Sequence, residues 1–401
     1  MKKLPLALAL ALSAASICTF ANAQSSVSVY GRLYPFVLQE SSSGATAAGT
    51  PVATLAATPS GTNGVGSVKG MAAGNSRLGF RGQEDLGGGL KAKFQIEGTV
   101  AVDDGNAAGF RWNRETFVGL EGGFGSIRLG LIDTVFKEYG DTLGILGVSS
   151  ATFMSSVNIM RKVGFGPSNA ARFHERPANS IIYESPSFGG FEFGALVATA
   201  ENPTPTLGSG KTYSLGVKYD KGPIYLALAH EIHDNFFGGS ANSPSAMRNN
   251  GAGTTVTSKD TATQFTVEWR VNKQHKFEFD VIKKTYDEKA TVAGRFKSYN
   301  NTAYLVAVDS RWNPQWRTAA SIVKSDAGSC SRVAAVCSTD GLEGTKLTVG
   351  ASYYLSRRTY LFAAYSQITN GKSARFSNSE FGSVSPGEDT RYLAAGISHA
   401  F

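Results

Sequence analysis

Arginine is the residue type in this chain best placed to act on a passing solute. Arg32, Arg77, Arg81 and Arg128 each fall on the polar parity of a stretch that alternates apolar and polar residues. Guanidiniums stay charged at any working pH, so arginines projecting from strands into a water-filled space would favour anions. Arg114 joins them less clearly, because its own stretch alternates ambiguously. Opposing charge could come from Glu138 and Asp141, in the long connection that follows Arg128. Such groups matter only where an opening is narrow. The Debye length is ~8 Å at physiological salt, so charges around a wide vestibule are screened. At ~8 Å a unit charge is worth roughly 0.5 kcal/mol at a dielectric constant of 80, and roughly 2 at 20. A ring of these residues would therefore alter permeability ratios severalfold. Otherwise each arginine is a solvated wall residue, and each acid is half of a salt bridge holding the connection in place.

Other reactive residues point to no chemistry. Gly208-Ser209-Gly210-Lys211-Thr212 has the tail of a phosphate-binding loop, but Pro205 stands where the first glycine belongs and a strand follows instead of a helix. His230 and His233 are three apart on a strand, so they face opposite sides and share no metal. A membrane-embedded hydrolase would need a marked Ser/His pair, and none stands out. Cys330 and Cys337 lie seven apart in a Ser/Gly/Ala-rich segment of an exported chain, a spacing that predicts a disulfide closing a surface loop. No pattern asks for a cofactor, a metal or a nucleic acid. The formal net charge of +8 suits either simple solubility or an anion-favouring interior, and charge alone does not choose.

The elements that must position these residues read as strands. Residues 1–23 form a signal peptide: Lys2 and Lys3, then apolar Leu4–Leu12, then Ala21-Asn22-Ala23 for cleavage. Cys18 is no lipid anchor, since Ile17 before it is too large. The mature chain, residues 24–401, alternates segments of about ten residues with short turns and longer loops, as membrane-tilted strands require. Strand 1 is expected over Ser26–Gln39, with Val27, Val29, Leu33 and Val37 on one face. The tenth strand is cleanest: Phe265, Val267, Trp269 and Val271 alternate with Gln264, Thr266, Glu268 and Arg270. A polar loop, Asn235–Asp260, precedes it, the twelfth strand covers Thr302–Trp312, and the last covers Arg391–Phe401.

Sixteen strands result, with seven short turns and eight long loops in strict alternation. That asymmetry fits an antiparallel transmembrane barrel whose two ends meet and close the sheet. Sixteen strands leave an aqueous channel. One connection is too long for a compact domain. Asp133–Ala178 lies between strands at Ser126–Ile132 and Asn179–Pro186 and holds no stable helical or alternating pattern. It is expected to fold into the barrel and narrow it.

Five stretches resemble the trimeric general porins of β-proteobacteria. They are Val27-Ser28-Val29-Tyr30-Gly31; Ser76 through Lys91, reading SRLGFRGQEDLGGGLK; Phe117-Val118-Gly119-Leu120 running into Phe124 through Gly130; Asn179 through Pro186 with Phe188 through Phe191; and Gly396 through Phe401. The resemblance implies an outer-membrane homotrimer of 16-stranded barrels, each with its third outer loop folded inward. It implies diffusion of small hydrophilic or anionic solutes, contact with outer-membrane lipid and lipopolysaccharide, and a terminal Phe401 used in assembly. Two positions depart from the family pattern: Tyr34 stands for its usual Asp, and Gly130-Leu131-Ile132 for its Gly-Arg-Gln. Tyr34 and Phe36 also allow a different channel, selective for a small organic or aromatic acid that slides along an aromatic track.

Overall fold

The computed structural model describes residues 26–105, 111–140, 144, 146, 152–166, 171–200, 210–249, 256–378 and 381–401. The expected signal peptide and Asp141 lie outside them. The strands are β1 (Ser26–Leu33), β2 (Phe36–Ser43), β3 (Ser67–Ala72), β4 (Arg77–Gly87), β5 (Leu90–Thr99), β6 (Thr116–Gly122), β7 (Gly125–Leu131) and β8 (Ser180–Glu184). They continue as β9 (Phe191–Thr199), β10 (Lys211–Lys221), β11 (Ile224–Asp234), β12 (Ser258–Arg270), β13 (His275–Glu288) and β14 (Phe296–Arg311). The last are β15 (Trp316–Ser325), β16 (Ser329–Arg332), β17 (Gly344–Tyr354), β18 (Thr359–Asn370) and β19 (Asp389–Ala400).

These segments make sixteen spanning strands. β1 and β2 are halves of one, broken at Tyr34-Pro35, because Pro35 has no N–H to donate. The break is repaired locally: Tyr34 N donates to Ser76 Oγ at 2.8 Å, and Pro35 O accepts from Ile397 N at 3.2 Å. β3 and β4 are likewise halves of the second strand. Gly74, at φ +54°, sits in their gap, where a Cβ would come within 2.8 Å of the Tyr34 backbone oxygen. β16 is a short addition that pairs with the outer end of β14.

All pairings are antiparallel. The sheet closes where Arg32 pairs with Ala400 and Leu33 with His399, and where β2 pairs with β19 from Phe36 to Ser43. Gly31 and Phe401 exchange backbone hydrogen bonds at 3.1 and 3.3 Å. No edge is left open, as a wall in hydrocarbon requires.

Side chains alternate across the wall. Val27 (67 %), Trp269 (51 %), Val306 (51 %) and Leu393 (60 %) face outward, while their strand neighbours point into the lumen. No described helix is long and apolar enough to cross a membrane; the strands make the crossing.

Several outer boundaries differ from the sequence reading. β12 begins at Ser258 and β14 at Phe296, and strand 1 runs on to Ser43. The β12 and strand-1 extensions are polar on both faces, and the β14 extension carries only Phe296 and Tyr299, three apart and turned inward, so no alternation marks them. The segment 133–178 also contains two helical turns, Val135–Tyr139 and Val157–Met160, too short to show a period. Cys330 and Cys337 form the expected disulfide, with Cα atoms 5.7 Å apart.

Candidate functional site

The described parts of the 133–178 segment lie against lumen-facing side chains of β9–β19. Its seat explains the packing inside the barrel. Thr134 caps the first turn through its Oγ1, which accepts from Lys137 N at 3.2 Å. Val135, Phe136 and Tyr139 are buried against β9–β11. Phe136 N donates to Ser214 Oγ at 2.9 Å, and Tyr225 OH donates to Tyr139 O at 2.7 Å. Gly194 and Gly216 permit this approach: a Cβ on either would lie within 2.9 Å of Val135 or Tyr139.

Three buried cations of the interior hold the rest. Arg161 donates to Gly140 O at 2.6 Å, to Gln264 Oε1 at 3.1 Å and to His174 Nδ1 at 2.9 Å. A guanidinium has no acceptor, so His174 Nδ1 must carry the lone pair and the ring is neutral. Burial and the surrounding Lys137, Arg161, Arg172 and Arg176 hold its pKa well below the ordinary value. Lys284 of β13 donates to Met160 O at 2.7 Å and Lys162 O at 2.8 Å. Lys346 of β17 donates to Phe153 O at 2.6 Å and also to Ser155 O. Aromatic rings complete the seat. Phe153 packs on Phe36 (5.5 Å) and Tyr392 (5.9 Å), and Phe165 meets Tyr299 edge-on at 4.9 Å.

Tyr34 and Phe36 belong to this seat. They are 0 % and 2 % exposed, and Tyr34 stacks on Phe362 at 4.5 Å. They therefore leave no aromatic track open to solvent.

The lumen-facing charges of β1 and β4–β8 form two poles. The first is basic. Arg32 and Arg77 are register partners, and Arg77 Nε lies 3.6 Å from Glu97 Oε2. Arg114 pairs with the other Glu97 oxygen, and Tyr30 OH donates to Glu97 at 3.0 Å. Arg32 donates to Ser398 Oγ at 2.9 Å and to Tyr360 OH, and its guanidinium lies 4.4 Å over the Tyr34 ring. Arg77 and Arg114 thus share the single carboxylate of Glu97, with Arg32 beside Arg77 in the register.

The second pole is acidic. Arg128 contacts Glu184 at 2.6 Å, Glu115 at 3.7 Å and Glu138 at 3.8 Å. It is outnumbered by carboxylates and is no bare cation. Burial first, then Glu184, raises the Glu138 pKa to about 8, against the pull of Arg128. Beside it Asp133 binds Lys137 at 2.8 Å and Arg176 at 3.0 Å.

Among the sequence candidates, Arg32 and Arg77 therefore come together, and Arg128 meets Glu138. Arg81 stands apart, exposed, four residues nearer the β4–β5 turn, over the Tyr30 ring at 4.8 Å. Sequence reasoning missed Glu97, Glu115 and Glu184 as partners, although strand parity places them on the same face as their arginines. The clamps made by Lys284 and Lys346 leave no local sequence signal at all.

Known proteins match this architecture. Residues 7–373 fit the family model described as Gram-negative porin. Outer membrane porin protein 32 of Delftia acidovorans is 40 % identical over 177 residues, 42 % of this chain and 48 % of that protein. The chain thus spans about half the length of that relative. Major outer membrane protein P.IB of Neisseria lactamica is 26 % identical over 311 residues, 75 % of this chain and 78 % of that protein. The solved anion-selective porin from Comamonas acidovorans superposes with a TM-score of 0.69 at 24 % identity, covering 94 % of this chain and 100 % of that one. OmpT of Vibrio cholerae, solved in a trimer form, gives 0.59 at 13 % identity, over 94 % of this chain and 99 % of that one. At these identities the two structures speak for the fold alone.

Proposed function

The chain belongs to the Gram-negative porin family, and from that premise we propose that it is an anion-preferring diffusion channel for small hydrophilic solutes and ions. It is an outer-membrane β-barrel channel and not an enzyme. The passage runs between the 133–178 segment and the wall of β1 and β4–β8, and the segment is the constriction. The preference for anions rests on one observation: two guanidiniums, Arg77 and Arg114, share the single carboxylate of Glu97, and Arg32 stands beside Arg77. The acidic pole around Arg128 weakens that preference without cancelling it, because burial favours the protonated form of Glu138.

The working form is a homotrimer. Among the described residues the strands β1–β7 themselves turn no Trp or Tyr outward, although Trp112, between β5 and β6, lies exposed over the Phe80 ring; that face carries Val27, Val29, Ile96, Val118, Leu120 and Leu129. The outward aromatics Trp269, Phe277, Tyr304, Trp316 and Tyr353 lie on β12–β17, as a lipid-facing girdle would. This mainly aliphatic face is the surface for other copies. Lys283 and Lys324, exposed on β13 and β15 toward the outer ends, would meet the phosphates of outer-leaflet lipopolysaccharide.

Single-channel recording in a planar bilayer under a KCl gradient tests this. Conductance in triplets with a chloride-favouring reversal potential is expected. A potassium-favouring potential would overturn the anion reading and leave the channel standing.

A further inference from the structure

Above the seat of the inward segment lies a small polar cavity of about 150 Å³, separate from the charged opening. Asn158 and Lys162 line it from the segment, and Arg375, Ser377 and Ser383 from the last outer loop. Two contacts fix the walls against each other. Arg375 N donates to Gly164 O at 2.8 Å, and the Phe376 ring fills the space a Gly164 side chain would need, 3.0 Å from that Cβ position. Arg375 is aimed by a bond from its Nε to Val384 O at 2.8 Å, which leaves the outer edge of the fork for something else.

Each cation feels one described acid only from a distance, Glu175 for Lys162 and Glu388 for Arg375. Among the described residues no carboxylate lies within ion-pair distance of Lys162 or Arg375. The nearby acids are committed elsewhere. Glu388 accepts from the backbone N–H groups of Gly64, Val65 and Ser385 at 2.6 to 3.1 Å. Glu175 binds Arg172 Nε at 3.0 Å. An anion entering between two half-buried cations that line one pocket is favoured by both. Asn158 and the Ser383 hydroxyl add donors at the rim.

We propose that this cavity is a binding site for a compact, doubly charged oxyanion of the inorganic phosphate type, held between Lys162 and Arg375 on the outer side of the constriction. A fork and an ammonium are the pairing that tetrahedral oxyanions favour. Occupancy would place a solute beside the entrance before it reaches Arg32 and Arg77. The site thus depends on the channel reading but not on the sign of its ion preference.

The test is chloride current through the full-length protein in a planar bilayer, with inorganic phosphate titrated from the outer-loop side at fixed chloride. Wild type is expected to show a saturable change in current, absent with phosphate on the other side. Lys162→Gln and Arg375→Gln should each raise the half-saturating phosphate concentration by about tenfold, and Lys162→Arg should restore it. The Lys162 ammonium makes no hydrogen bond that holds the fold, so its variant keeps the test valid if Arg375→Gln does not assemble. A current without saturation in wild type, or an unchanged half-saturating concentration in Lys162→Gln, overturns the proposal. Reversal potential, read in the same recording, reports separately on anion preference.

Discussion

At the scale of single residues, selectivity turns on which guanidiniums are outnumbered. Arg77 belongs to the pole with spare positive charge and Arg128 to the pole with spare negative charge. Arg77→Ser should lower the chloride-to-potassium permeability ratio severalfold, and Glu97→Gln should raise it; reversal potentials of the two variants check this. The acidic pole also titrates. Glu138 is raised to about 8 by burial and Glu184, with Arg128 opposing and Glu115 and Asp133 adding to the rise. Below that pH the carboxyl holds its proton, and above it a negative charge appears near Arg128. Anion preference should therefore fall as pH rises through about 8, and Glu138→Gln should remove the dependence. An unchanged slope in that variant would assign the titration to another group. The polar parity of Arg32, Arg77 and Arg128 was legible in the sequence. Their partners were not, because Glu97 and Glu184 come from strands that only the register brings alongside.

At the scale of elements, the inward segment is held by the wall rather than by its own structure. Its two helical turns are far below the length at which an isolated helix persists. A hydrogen bond to a charged group is worth roughly 1.5–3 kcal/mol, and Lys284 and Lys346 each make two to backbone oxygens of the segment. Lys284→Met with Lys346→Met should loosen the segment while the barrel still forms. The expected readouts are noisier, larger single-channel conductance and faster cleavage within 152–166 by an added protease. Gly216→Val acts differently, since it drives a side chain into Val135 and Tyr139 and should displace the first turn outright. None of this could be read beforehand. Lys284 and its acceptor Met160 are 124 residues apart, and a lysine on a strand looks the same whether it meets water or a carbonyl. The disulfide was legible because two cysteines in one short exported loop have few alternatives. Reducing it should leave conductance unchanged, since β16 lies on the outer end of β14, away from the opening.

At the scale of the whole molecule, the wall was the most legible part. Period-two alternation in a lipid-facing strand is imposed by hydrocarbon on one side and water on the other, so it appears wherever both are present. It fails above the membrane, which is why β12 and β14 extend further than the pattern shows. It fails again at Tyr34-Pro35, where strand 1 breaks yet still pairs with β19 on both sides of the break. Assembly is a prediction at this scale. Charged substitutions such as Val29→Lys or Leu129→Lys, on the mainly aliphatic face, should abolish triplet conductance steps and lower the heat resistance of the oligomer on a gel. The same change at Val306, among the girdle strands, should disturb lipid insertion and leave subunit stoichiometry intact.

The two charged poles have a consequence for the shape of what passes. Arg32, Arg77 and Arg114 stand on one stretch of wall, and Glu115 and Glu184 on the next with Glu138 of the inward segment beside them, so a solute between them sits in a field directed across its path. A molecule with separated charges of its own experiences a torque and enters with one orientation, its acidic end toward β4. A zwitterionic amino acid and an uncharged solute of equal size would then differ in transit time, although neither carries net charge.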